Sequence, residues 1–399
     1  MRLLRLSIKG FRNLADQVLD VPEEGVAIVG SNAQGKTNLL EAVHYLETFR
    51  SARGGRDEQL VRIGETLFRI EAEIGCRDVK RGPAAEPIRV VSAAYDGPTR
   101  QKRVSVDGQV PGRLRDAIAN IGSVLFTPED VRVVSEGPSE RRRYLDILLS
   151  LNVPGYLEAL RRFRQALRRR NAALRRGEGV ASVAAWDDVL VRSGAQVSVS
   201  RALWIARHRA RFSEYHGEVW GERVARMVYE PGIRATVAEI ADSVDDYSEG
   251  GDSVGGDPRA IDAVAEAYGA ALEDLRESER RLGATLVGPH RDELRFFIEA
   301  PEGERDVREM GSGGEQRTIA LALRLLEADT VREGRGREPI LLLDDLFAEL
   351  DAERSRRVLD LLNRRVPGQV ILTAPKESDV RFRSEALSRW WIEKGIVRT

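Results

Sequence analysis

The chain has one cysteine, Cys76, so no intrachain disulfide can form and a cysteine-built zinc cluster is excluded. Aromatic residues make up only 6% of it, and lysine is sparse, confined to places such as Lys9, Lys36, Lys80 and Lys102. Neither sign of charge dominates: 63 basic residues stand against 64 acidic ones, so net charge points to no partner. No apolar run approaches the roughly 20 residues of a membrane span. The opening Met1-Arg2-Leu3-Leu4-Arg5-Leu6-Ser7-Ile8 alternates like a strand and does not read as a signal peptide. These absences point to a soluble, cytoplasmic protein without a membrane partner. Its 399 residues suffice for about two or three domains.

What is present is organised around Gly30-Ser31-Asn32-Ala33-Gln34-Gly35-Lys36-Thr37, followed by Asn38. An apolar run, Gly25-Val26-Ala27-Ile28-Val29, precedes it and reads as a buried strand. Leu39 to Leu46 follows with helical spacing. Strand, Gly-x-x-x-x-Gly-Lys-Thr, helix is the context a phosphate-binding loop requires. Its backbone N–H groups close around an anion at the positive end of a helix. Lys36 would reach the β- and γ-phosphates of a nucleotide, and Thr37 would offer its hydroxyl to Mg²⁺.

Along the chain, residues 1–9 and 17–21 read as strands that pair antiparallel, and 67–75 and 88–95 as further strands. Asp107-Gly108 marks a tight hairpin turn within Val104 to Val110. The stretch 79–87 reads as a loop. From Pro128 the pattern becomes helical, over 140–149, 155–176, 183–224 and 259–282, with a Ser/Gly/Asp-rich mobile loop from Asp242 to Asp257. The segment Arg161 to Arg170, with Arg175 and Arg176, carries more arginines than one helical face can hold. It is either a solvated face or a contact for a polyanion. A β/α pattern resumes near residue 284, with a strand over 294–299, helices over Gly313–Ala328 and Ala352–Asn363, and buried strands over Pro339–Leu343 and Gln369–Thr373. The fold class is therefore α/β: a nucleotide-binding domain split by an inserted, mainly helical one. The boundaries expected are 1–127 for the first lobe of the nucleotide-binding domain, 128–282 for the helical arm and 283–399 for the second lobe.

Two further sites carry chemistry. Asp344 and Asp345 end a buried strand, where open α/β sheets place ligands. Asp344 fits a carboxylate that orients Mg²⁺ through a water, and Asp345 one that polarises an attacking water. Ser312-Gly313-Gly314-Glu315 precedes a helix: Ser312 is a fair N-cap, and the Gly-Gly N–H groups make a second anion site.

In this order, the phosphate loop, Ser-Gly-Gly-Glu-Gln316, Leu341-Leu342-Leu343-Asp344-Asp345 and Ala348-Glu349-Leu350-Asp351 resemble the heads of ABC-type ATPases, a superfamily that includes SMC proteins. Gly35 to Ala42, Ser139 to Asp146, Gly288-Pro289-His290-Arg291-Asp292-Glu293 and Asp344 to Asp351 narrow the resemblance to the RecF family of bacterial recombination mediators, over residues 1 to about 375. The resemblance implies a homodimer sandwiching two ATP molecules. Gly30 to Thr37 of one subunit would face Ser312 to Glu315 of the other, with Asp351 at the seam. It also implies slow, DNA-stimulated ATP hydrolysis on single-stranded, gapped or duplex DNA, and recombinase loading with mediator partners such as RecR. By the same analogy Arg50, Arg53, Arg168, Arg169 and Arg170 are candidates for DNA phosphate contacts. Two departures from ABC transporter heads, Asp345 in place of Glu and Thr373 in place of a switch histidine, are shared by RecF-like proteins and favour slow turnover. His290 reads as structural. The alternative is another SMC-like head acting as a structural DNA clamp.

Overall fold

The computed structural model describes residues 1–75, 88–221, 223–233, 258–301, 303–345, 352–365, 367–380, 383 and 386–399. The loop expected at 79–87, the Asp242–Asp257 segment and Asp351 lie outside the described residues. The chain divides into two compact units, Met1–Asp130 with Arg324–Thr399, and Val131–Leu323.

The first unit holds two sheets. The larger has the strand order β14-β13-β3-β12-β11-β7, formed by Ile396–Arg398, Ser388–Glu393, Gly25–Val29, Val370–Ala374, Ile340–Leu343 and Ser123–Phe126. The strands β13, β3, β12, β11 and β7 run parallel, and only the β13–β14 pair is antiparallel. Parallel sheets are covered on both faces, and β3, β11, β12 and β7 accordingly bury every residue. This is why they appear in sequence as unbroken apolar runs. The second sheet, β2-β1-β4-β5-β6, is antiparallel and comprises Gln17–Asp20, Arg2–Lys9, Leu67–Gly75, Ile88–Asp96 and Gln101–Val106. Its strands alternate inward and outward; in β1 Leu6 and Ile8 are buried, and a register shift between Leu3 and Arg5 buries Leu3 as well. Helix α1, Lys36–Thr48, touches strands of both sheets. Tyr45 on it meets Phe68 of β4 edge-on at 5.5 Å, and Phe68 meets Phe11 likewise at 5.3 Å. The expected turn is present: Asp107 and Gly108 both take left-handed φ, 52° and 77°, as a type I′ turn demands. The returning chain adds only a bridge at Gln109, because β6 pairs backward with β5.

The second unit is built on α2 (Pro138–Asn152), α3 (Tyr156–Arg175), α4 (Asp187–Trp220) and α5 (Pro258–Leu282), with an antiparallel sheet β10-β9-β8 of Gly303–Asp306, Glu293–Ala300 and Ala225–Glu230. Phe163 of α3, Leu190 and Val199 of α4, and Val264 and Tyr268 of α5 share a core. The long helix expected over 183–224 is shorter, because Gly221 at φ 104° ends α4 and the chain turns into β8. Residues 283–323, assigned from sequence to the C-terminal lobe, group with this unit, since β9 takes β8 as its partner over six residue pairs from Ala225↔Ile298 to Glu230↔Glu293. Helix α6, Gly313–Arg335, is continuous through the unit boundary.

Two stretches that suggest the family do structural work here. Arg201 of α4, 2% exposed, pairs with Asp146 of α2 at 2.7 Å and with Asp292 at 2.5 Å. Tyr156 donates to Asp146, and Tyr229 and the Gly232 amide donate to Asp292. Arg141 meets Glu293 through two bonds of 2.7 and 2.9 Å. His290 is structural as expected: its Nε2 lies 3.0 Å from the Thr285 carbonyl oxygen, and burial pushes its pKa down to about 4.

Candidate nucleotide site and signature turn

The phosphate loop leaves the carboxyl end of β3, which lies between β13 and β12. Gly35 precedes α1 at φ 112°, a conformation open to glycine, and no side chain caps the helix. The first-turn N–H groups of α1 are therefore left for an anion. Lys36 is 5% exposed, and its Nζ donates to the Gly30 and Ser31 carbonyls at 2.7 and 3.2 Å, so the ammonium is already folded over the loop.

Beneath the loop, neighbouring strand ends bring two carboxylates and two hydroxyls together. Thr37 Oγ1 donates to Asp344 Oδ1 at 3.1 Å, and Thr373 Oγ1 at the end of β12 donates to the same oxygen at 2.8 Å. The Asp345 amide donates to Thr373 Oγ1 at 3.0 Å. Burial pushes the Asp344 carboxyl above its ordinary pKa, and the bonds from Thr37 and Thr373 only partly offset it. Asp345 has φ 44°, the left-handed region that costs most residues strain and that aspartate tolerates better than bulkier ones. Strain of this kind clusters at functional sites. The oxygen-only set of Thr37 and Asp344 suits Mg²⁺, a hard cation that keeps several of its own waters.

The loop also rests on residues that motif reading did not single out. Asn13 Nδ2 donates to the Ala33 carbonyl, and Asn38 Nδ2 donates to Asn13 Oδ1 at 2.7 Å. The turn between β13 and β14 grips Gln34: the Lys394 amide donates to its Oε1 at 2.7 Å and the Gly395 amide to its carbonyl at 3.0 Å. Gly395 has φ 78°, and a Cβ there would lie 1.9 Å from the Asn13 carbonyl oxygen, so only glycine fits. Proximity across such sequence distances leaves no periodic trace; Gly395 itself was the available signal.

In the second unit, Ser312 and Glu315 form a reciprocal capping box at the start of α6. The Ser312 amide donates to Glu315 Oε2 at 2.7 Å, and the Glu315 amide donates to Ser312 Oγ at 3.3 Å. The Ser312 hydroxyl proton remains available to an acceptor. Ser312 and Gly313 are exposed, and among the described residues nothing lies within 4 Å of where a Cβ on Gly313 would project.

The arginine candidates separate. Arg168 and Arg169 are exposed on α3, and neither has a hydrogen bond or ion pair among the described residues. Arg161, 10.5 Å along the helix from Arg168 at about 1.5 Å per residue, is exposed as well. Arg50 is exposed too. Arg170 is corrected: it is 2% exposed, pairs with Glu279 and Asp187 at 2.7 Å each, and donates to Thr285, so it serves the core. Arg53 is turned toward α1, donating to Asn38 Oδ1 and Glu41 Oε2 at 2.5 and 3.0 Å.

The family model described as the RecF/RecN/SMC N terminal domain matches residues 2–395. The DNA replication and repair protein RecF of Synechococcus sp. (strain JA-3-3Ab) is 34% identical over 380 residues, covering 94% of this chain and 91% of its own length. A solved structure of the recombination mediator protein RecF with ATPrS, in the RecFOR pathway, superposes with a TM-score of 0.82 at 27% identity, covering 99% of this chain and 97% of that one. An Smc head bound to the C-winged helix domain of ScpA shares the fold at a TM-score of 0.54 and 18% identity, covering 99% of this chain and 96% of that one.

Proposed function

The chain belongs to the RecF family of DNA replication and repair proteins, and from that premise we propose that it hydrolyses ATP slowly, under stimulation by DNA, as a homodimer closed on two nucleotides. Bound to gapped or single-strand/duplex junction DNA, it supports recombinational repair, replication restart and SOS induction by promoting recombinase loading, together with a mediator such as RecR in the cytoplasm. The observation that carries this reading is the meeting of Thr37, Asp344, Thr373 and Asp345 under the phosphate loop, with Thr37 and Asp344 sharing a bond of 3.1 Å.

In the proposed mechanism, the loop amides from Gly30 to Thr37, with Asn38, bind the triphosphate. Lys36 exchanges its two carbonyl partners for the β- and γ-phosphate oxygens. Mg²⁺, held by the Thr37 hydroxyl and by Asp344 through a water, would neutralise charge on those oxygens. Asp345 takes a proton from the attacking water as its oxygen bonds to the γ-phosphorus. The bond to the β-phosphate oxygen breaks, leaving ADP and inorganic phosphate. Ser312, Gly313 and Gly314 of the second subunit donate to the γ-phosphate, with Glu315 fixing their turn and Asp351 at the seam. Hydrolysis removes that bridging group, so the dimer opens. Arg50, Arg161, Arg168 and Arg169 supply phosphate contacts, which position a protein on DNA without reading its sequence.

The test is sedimentation and phosphate release on the same preparation, with and without ATP and gapped DNA. Dimers that form only in ATP, and hydrolysis that rises with DNA, are expected. Hydrolysis by a species that stays monomeric at all concentrations overturns the reading.

A further inference from the structure

Glu315 is 3% exposed, yet its carboxylate makes bonds to three different segments. Oε2 accepts from the Ser312 amide at 2.7 Å. Oε1 accepts from Arg223 Nη1 at 2.7 Å and Arg305 Nη2 at 3.1 Å. A capping box needs only one of those oxygens. The second would otherwise be a buried charge without an acid's usual solvation, a costly state unless paired. Two arginines from separate elements converge on it: Arg223 in the link between α4 and β8, and Arg305 in β10.

Arg223 is itself held in place. Its guanidinium lies over the Trp220 ring at 6.0 Å, and that ring stacks on His216 one helical turn earlier at an interplanar angle of 15°. The His216 Nδ1 lies 3.2 Å from the Arg223 carbonyl oxygen. The last turn of α4 therefore sets the backbone and the side chain of Arg223 together. On its other flank the signature turn has separate support, since Gln316 Nε2 and the Gly311 amide both donate to the Val307 carbonyl. Removing an arginine would thus loosen the Glu315 end of the turn while leaving the Val307 end anchored.

We propose that Arg223 and Arg305 are positioning residues for the signature turn, holding Glu315 so that the Ser312 hydroxyl and the glycine amides are set for the partner subunit's nucleotide before it arrives. The inference rests on the reading that this turn meets ATP across a dimer. Neither arginine need touch nucleotide. Their contribution is preorganisation, which shows as tighter association rather than as a new contact. It also gives α4, which supplies no residue to the proposed ATP pocket, one direct hold on that turn through the segment that follows it.

The experiment uses the full chain and the variants Arg223→Gln, Arg305→Gln, Arg223→Lys and Glu315→Gln, with Ser312→Arg as control. Binding of a fluorescent ATP analogue is measured at concentrations where the protein is monomeric, alongside thermal melting. ATP-dependent dimerisation is measured by sedimentation. Arg223→Gln should leave monomer affinity for the analogue near that of the parent and lower the melting temperature only slightly, since Arg305 still pairs with Glu315. Its dimer dissociation constant should rise about tenfold, the scale of one charge-assisted bond. Arg223→Lys should recover part of the loss. Adding Glu315→Gln to Arg223→Gln should cost less than the two single effects multiplied, since both act through one contact. If Ser312→Arg blocks dimerisation while Arg223→Gln and Arg305→Gln dimerise like the parent, the positioning role is overturned. If Ser312→Arg also dimerises normally, the trans-site reading falls and this inference falls with it.

Discussion

The Thr373 hydroxyl donates to Asp344 Oδ1 at 2.8 Å, and its Oγ1 in turn accepts the Asp345 amide at 3.0 Å. One side chain at the end of β12 thereby sets both carboxylates that end β11. Where transporter heads carry a histidine, this chain has a smaller group that holds the pair and cannot itself gain charge. Thr373→Val keeps shape and removes both bonds. It should cost about 1–3 kcal/mol of stability, the penalty for unpaired buried polar groups. ATP hydrolysis should fall at least about tenfold, since 1.4 kcal/mol of barrier is enough for that. Chemical denaturation and phosphate release on one preparation check the two effects.

Burial raises the Asp344 carboxyl above its ordinary value of 3.8. The folded state therefore holds that proton more tightly than the unfolded chain does. The group's stabilising contribution is full below pH 3.8 and is lost as pH rises through the raised folded value, so an ionised Asp344 weakens the nucleotide-free fold at neutral pH. Asp344→Asn should raise the melting temperature by about 1–3 °C at pH 7. The same variant should abolish Mg²⁺-dependent hydrolysis, and the gain should shrink as the melting buffer is made more acidic.

Asp345→Asn removes the proposed proton acceptor and leaves the loop intact. It should bind ATP and accumulate as dimer, with phosphate release reduced about 10²-fold or more, within the range of general-base contributions. Lys36→Arg should do the reverse, keeping the fold and weakening ATP-dependent dimerisation. Light scattering in ATP, followed over time, separates the two.

Arg161, Arg168 and Arg169 are exposed while Arg170 is sealed among Asp187, Glu279 and Thr285. Replacing the first three with glutamine should weaken DNA binding and flatten the plot of log affinity against log salt by up to about 3 units, close to one per lost phosphate contact. Arg170→Met should instead lower the melting temperature and leave the salt slope of the folded fraction as it was. A slope unchanged in the triple variant makes the ridge a solvated face.

The strand-borne elements were legible because their chemistry is local. β3, β11 and β12 announce themselves as apolar runs, and Gly30 to Thr37 and Asp344–Asp345 stand at their carboxyl ends, where open sheets place ligands. Arginine roles on α3 were not, because composition does not say which face a residue takes. Arg168 and Arg170 differ by two positions and by 200° around the helix at about 100° per residue, and the second falls on the stripe with Phe163 and Ala166. β7 and β13 escaped notice because four or six residues beside turns carry too little periodicity. The Gly288 to Glu293 stretch stands out in the sequence, and its structural reason is the buried pairing of Asp292 with Arg201, 91 residues earlier in the chain.

The hold of Lys394 on Gln34 joins residues 360 positions apart. During synthesis, the proposed phosphate loop leaves the ribosome early and waits for a strand made hundreds of residues later. Pairings of such range close slowly, because most of the intervening chain must be ordered first. A nascent chain would therefore carry the sequence of a nucleotide pocket long before it owns a working one, and ATP captured too soon would find no floor beneath it.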